Sequence, residues 1–347
     1  MNEELEQHSG ESEEENGSTP EDSSGEDLAE LETPGKFKQT FVNRFGHIRA
    51  GWRMTVYLIV FGLILIPLIG LLTFLKGDLV LGEFSSLQLA FYESVIQVPM
   101  LILAAVIILR WIDKRPFGVL GFNFSKGWLR EFAIGLGGGF GLLTLIFFIF
   151  WSTGLVSVTP GAMNMEVFNS MMFLLLVFAF TGASEELLFR GYLFQVLIEG
   201  SREWIAVLIF SLIFSLGHMG NPNWSWEGAV NIILAGILFS VAYIKTRSLW
   251  LPTGLHMAWN WTQGPLWGMN VSGIDIQNSF MVSVPQGPEL LSGGEFGAEG
   301  SLISSVVIIL VIWYMWRAPW LKPSEANSAL WRKYPASYGV PPAETEN

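Results

Sequence analysis

Long apolar runs recur along this chain, broken by short polar stretches. A bilayer core of ~30 Å needs about 20 apolar residues in helix, because each helical residue rises ~1.5 Å. Runs near 56–75, 89–109, 132–152, 169–194, 204–218, 229–244, 248–265 and 301–316 answer that requirement, the fifth, sixth and seventh being short or interrupted. The pattern predicts an all-α fold, a polytopic membrane helix bundle of about eight transmembrane helices. The composition agrees: 51% of the residues are hydrophobic, and a soluble enzyme has no use for so much apolar surface.

The polar positions between the runs give an independent check, since Lys and Arg collect on the cytoplasmic side of short loops. Lys36, Lys38, Arg44, Arg49 and Arg53 precede the first run, and Arg110, Lys114, Arg115, Lys126 and Arg130 separate the second from the third. Arg202, then Lys245 and Arg247, then Arg317, Lys322, Arg332 and Lys333 occupy every second connection that follows. The alternate connections, 153–168, 219–228 and the long 266–300, hold neither Lys nor Arg. Only Lys76 breaks the alternation, and Arg190 falls within a run, so 17 of the 19 basic residues predict one side and cytoplasmic termini. The stretch Trp111–Phe132 mixes aromatic and basic residues, as an interfacial segment or a plain connecting loop would. The Gly-rich connection 266–300 reads as a flexible outer loop.

Charge changes the picture only at the start of the chain. Residues 1–35 hold 13 Asp and Glu and no Lys or Arg, so the net charge of −12 belongs to that segment while the rest balances at +1. Rich in Glu, Ser and Gly, it buries too little apolar surface to offset the entropy of ordering and is expected to be disordered. The expected organisation is a disordered acidic tail at 1–35, a transmembrane helical domain at 36–322 and a cytoplasmic tail at 323–347. With no Cys, thiol nucleophiles, thiolate metal sites and disulfides are excluded. No nucleic-acid partner is expected; the partners are the lipid bilayer and whatever the polar residues within it act upon.

Ionisable groups at bilayer depth are costly and point to function. They are concentrated in three runs, LLLVFAFTGASEELLFRGYLF with Glu185, Glu186 and Arg190, IFSLGHMGNP with His218, and LWLPTGLHMAWNWTQG with His256 and Asn260, while Glu93 in the second run reads as structural. Glu186 and Arg190 stand four apart on one helical stripe and are expected to pair, while Glu185 points about 100° away, unpaired and suited to act as a general base. His256 and Asn260, also four apart, present an imidazole and a carboxamide on one face, and both can donate to a developing oxyanion. From the end of its helix His218 could share a water with Glu185. Each residue alone is as well explained by interhelical hydrogen bonding, and a proton-coupled transporter also uses Glu and His within a bundle. Their concentration on three helices favours a site. One geometric strain is expected, because His218 lies near the outer end of its run while Glu185 and His256 lie deeper, so the fifth helix must be tilted or sunk.

The three motifs Glu-Glu-x-x-x-Arg at 185–190, Phe-x-x-x-His at 214–218 and His-x-x-x-Asn at 256–260, in this order on separate apolar helices, resemble the CPBP family. That family comprises the CAAX prenyl proteases and bacteriocin-processing or Abi proteins, and the resemblance covers roughly residues 170–265. It implies an intramembrane endopeptidase with Glu185 as catalytic glutamate, His218 positioning the water, His256 with Asn260 forming the oxyanion site, and Glu186 with Arg190 in support. The implied substrate is a peptide or membrane-associated protein, prenylated or not. The family is described both as metal-free glutamate-type proteases and as metalloproteases. In the second case Glu185, His218 and His256 would hold a divalent metal such as zinc, with Glu185 a ligand rather than a base. Members of such families also act without catalysis, as immunity or scaffold proteins. Gly182-Ala183-Ser184 begins like the element of a rhomboid-type serine protease, but Glu185 replaces its second glycine and a Ser nucleophile leaves the glutamate pair unexplained.

Overall fold

A computed structural model describes residues 40–43, 48–78 and 86–333; the acidic tail expected at 1–35 and residues 334–347 lie outside them. Helices stand at all eight predicted positions. They are α1 (Ala50–Asp78), α2 (Ser86–Ile108), α3 (Trp128–Ser152), α4 (Met165–Arg190), α5 (Tyr192–Gly200), α6 (Glu203–Gly217), α7 (Trp226–Thr246), α8 (Trp250–Trp261), a short α9 (Glu289–Ser292), α10 (Leu302–Arg317) and α11 (Glu325–Lys333). The fourth run is longer than expected: the helix breaks at Gly191 and continues as α5. Among the described residues five segments are long and apolar enough to cross a membrane, namely Ala50–Leu68, Phe91–Asp113, Trp128–Ser152, Met165–Gly200 and Trp226–Thr246. The protein is a helical membrane bundle. Its outer faces are apolar, with Leu63, Ile66, Leu129 and Trp151 exposed, as lipid contact requires.

Polar caps set the helix starts. Asn164 accepts from Val167 N–H at α4, Ser225 from Gly228 N–H at α7 and Ser301 from Ile303 N–H at α10. The most extensive packing joins α3 to α8, and glycine makes it close. A Cβ at Gly135 would stand 2.3 Å from the Leu251 carbonyl oxygen, and one at Gly139 would stand 2.4 Å from that of Leu255. The small residues of the third run are therefore packing residues that let α8 lie backbone to backbone on α3. On the far side α8 meets α4, which also packs on α2, while α6 pairs with α7 and α7 with α10.

One expectation is corrected. The outer connection 266–300 is not a flexible loop: it holds β2 (Met281–Pro285), α9 and two short 3₁₀ turns, and β2 pairs antiparallel with β1 (Val156–Pro160) from Val156↔Pro285 to Pro160↔Met281. Its backbone is also held by buried side chains, above all Asn231, whose amide donates to the carbonyls of Glu299 and Ser301. Arg53 and Arg115 are also buried. Glu199 on α5 receives both guanidinium groups, and Arg53 also pairs with Asp113 at 2.5 Å, which accepts from the Tyr192 hydroxyl as well. Charge count cannot foresee this network, because it depends on α5 turning Glu199 back toward the start of α1. Part of the expected C-terminal tail is ordered too, with Leu330 of α11 against Gly118.

Candidate functional site

The site is built where α4, α6, α7 and α8 meet. At Gly182 α4 lies against α8, where a Cβ would be in ordinary contact with Met257 N and the His256 side chain. One turn further along α4, Glu186 is wholly buried and its Oε1 takes two partners, Arg190 Nη1 at 3.1 Å and His256 Nδ1 at 3.0 Å. Arg190 is equally buried and is satisfied from α7, with Nη2 donating to the Gly236 carbonyl at 2.9 Å. Its guanidinium also lies over the rings of Phe214, Phe239 and Phe189. Phe239 stacks on the His256 imidazole at 4.7 Å with a 16° angle between planes, which fixes the ring's orientation.

His256 thus lies between the two glutamates. Its Nδ1–H faces Glu186, and its Nε2 stands 3.8 Å from Glu185 Oε2. That distance is too long for a hydrogen bond, and Glu185 Oε2 is buried with no hydrogen-bond partner, as is Glu186 Oε2. Buried carboxylate oxygens are normally paired. The region therefore combines one neutralising Arg with two carboxylates and leaves acceptor capacity open beside an imidazole nitrogen.

His218 follows α6 directly, and its Nδ1–H donates to the Phe214 carbonyl at 2.8 Å, which leaves Nε2 as an acceptor. Phe214 separates the two imidazoles, its ring 4.8 Å from His218 and 6.0 Å from His256. The helix α6 has only 15 residues and ends one aromatic ring from the Glu186–His256 pair. Asn260 lies one turn beyond His256 on α8, half-buried. Among the described residues no hydrogen bond or ion pair joins His218 or Asn260 to Glu185. The zinc alternative needs Glu185, His218 and His256 as ligands, but among the described residues no three His, Asp or Glu side chains form a group that could hold a metal ion. No step is therefore derived through a metal.

One ionisable residue beside the site escaped sequence reasoning. Glu299, in the outer connection, is buried and accepts from Trp259 Nε1 at 3.2 Å, Gln263 Nε2 at 3.1 Å and Ser272 N–H at 2.5 Å. Burial pushes its carboxyl above the usual range, opposed by these donors. Its surroundings in sequence, Gly-rich and without an apolar run, give no sign of burial.

Such a cluster, buried on four helices of a membrane bundle, defines the class of protein to which comparison with known families can be put. Residues 167–262 match the family model described as Type II CAAX prenyl endopeptidase Rce1-like. The matched segment runs from the first turn of α4 to the end of α8, under a third of the chain, and contains all three motifs, so this part of the bundle is similar to the Rce1-like CAAX endopeptidases. The family's general activity is that of a CAAX-type intramembrane endopeptidase. No curated protein and no solved structure matches the chain.

Proposed function

We propose that this chain hydrolyses a peptide bond at the membrane, with Glu185 as the base that activates water. The observation that carries the reading is the buried, unpartnered Glu185 Oε2 beside His256 Nε2, whose ring is clamped by Glu186 and Phe239. Glu185 takes a proton from water as the oxygen adds to the scissile carbonyl. The Nε2 of His218, left as an acceptor by the bond from Nδ1 to Phe214, receives the second water proton in a hydrogen bond and orients the nucleophile. The oxyanion of the tetrahedral intermediate accepts from the Asn260 amide and from Nε2–H of a protonated His256, whose charge the Glu186 carboxylate balances. Collapse expels the amine, which takes the proton held by Glu185.

The substrate is a peptide or membrane-associated protein, and the test uses purified protein with prenylated and unprenylated peptides. Wild type is expected to cleave, and Glu185→Ala, His218→Ala and His256→Ala to lose turnover; equal turnover in all four proteins would refute the assignment. Biological activity that survives these substitutions with no hydrolysis at all would favour a binding role. The protease-like core is taken as 170–265. Both termini are assigned to the cytoplasm on the charge alternation, and because the chain has no Cys, single introduced cysteines can be labelled from either side to check it.

A further inference from the structure

The family match ends at residue 262, and the site contacts continue past it. Glu299 reaches α8 and the helical turn that continues it on both sides of Asn260: Trp259 precedes Asn260 by one residue and Gln263, in the turn Thr262–Leu266, follows it by three, and each donates to a different oxygen of the Glu299 carboxylate. The oxygen shared with Gln263 also accepts from Ser272 N–H at 2.5 Å. The carbonyl of Ser272 in turn accepts from Asn221 Nδ2 at 2.9 Å, and Asn221 N–H donates at 3.1 Å to the carbonyl of His218. A continuous chain of hydrogen bonds thus runs from the outer end of α8, through one buried carboxylate, to the turn that carries His218. On its backbone side Glu299 is fixed independently, its carbonyl accepting from Asn231 of α7 at 2.6 Å.

We propose that Glu299 is a positioning residue for the outer half of the site, holding Asn260 and His218 at a fixed relation to one another although it touches no reacting atom. The proposal rests on the endopeptidase reading given above. A carboxylate suits this position because it offers only acceptors to three N–H donors arriving from α8 and the outer connection. An amide of the same shape replaces one acceptor with a donor and must lose at least one of the three bonds. Displacement of catalytic groups by an ångström is enough to slow a reaction ~10²-fold.

The test compares wild type with Glu299→Gln in the full-length purified protein, with two readouts. Steady-state cleavage of a peptide that wild type hydrolyses is expected to show kcat reduced about 10- to 100-fold with KM within about twofold, because positioning and not substrate binding is disturbed. Nitrogen-15 NMR of histidine-labelled protein, which has four histidines, is expected to show the His218 imidazole signals displaced. Trp259→Phe, which removes a single donor and keeps the ring, is expected to move both readouts the same way by less, and serves where Glu299→Gln folds poorly. Wild-type values in either readout overturn the proposal, since a purely structural clamp would change neither. A wild type that cleaves no peptide instead defeats the endopeptidase reading, and the His218 signals then decide alone whether Glu299 governs this turn.

Discussion

The bundle contains two buried ionic clusters of nearly the same composition that differ in what they leave unsatisfied. Near the start of α1, Arg53 and Arg115 meet Asp113 and Glu199, and each carboxylate is engaged by a guanidinium. Between α4 and α8, a single Arg and one imidazole serve Glu185 and Glu186, and one oxygen of each glutamate is buried without a donor. Two cations for two anions leave the first cluster, a joint between α1, α5 and the segment after α2, with no buried carboxylate oxygen lacking a donor, the one unpaired atom being the donor Arg53 Nε. The second cluster is short of donors, and a site that must accept a proton needs that shortage. Similar composition therefore carries opposite meanings, and the count of donors against acceptors separates them.

The comparison is broken most directly at Glu185. Glu185→Gln is expected to lower turnover by about 10³-fold, the loss of a general base, while leaving the thermal midpoint close to wild type. A variant that retains turnover would place the base elsewhere. Arg190→Met is expected to cost about 3–5 kcal/mol of stability, because it leaves the wholly buried Glu186 with no cation but His256; denaturant titration in detergent measures it. Arg53→Met should cost about 3 kcal/mol by the same mechanism, yet turnover per folded molecule should be unchanged; a fall there would mean that the inner cluster is not purely structural. Glu203→Gln, at the partly exposed pair with Arg247, should change stability by less than about 1 kcal/mol.

Much of the fold was legible because apolar run length is a direct reading of bilayer thickness, and the predicted spans lie within a few residues of the helices. The i, i+4 spacing of Glu186 and Arg190 likewise contains their pairing, since neighbours on one helical stripe cannot avoid one another. What the sequence withheld depends on residues far apart in the chain. That Glu186 also holds His256 follows from the close approach of α4 to α8 at Gly182, and nothing in either run announces it. The number and position of Arg53 and Arg115 place them on one side of the bundle but say nothing of their burial, which is decided by Glu199, over 80 residues further along. Glu299 was invisible for the same reason: glycine-rich polar sequence looks like a loop whether or not distant side chains hold it.

The shortness of α6 has a consequence for the membrane itself. Fifteen helical residues span about 22 Å, some 8 Å less than an average hydrocarbon core, and Leu212, Ile213 and Leu216 on this helix are exposed to lipid. Lipid beside α6 must therefore compress or tilt to match it, at a cost that grows with acyl chain length. A bilayer that matched the length of α6 would be thinned where His218 stands, which would shorten the path that water and a polar peptide segment travel to reach the interior. Acyl chain length thus becomes a variable of the site, and reconstitution in a series of lipids of graded thickness would read its effect without altering a residue.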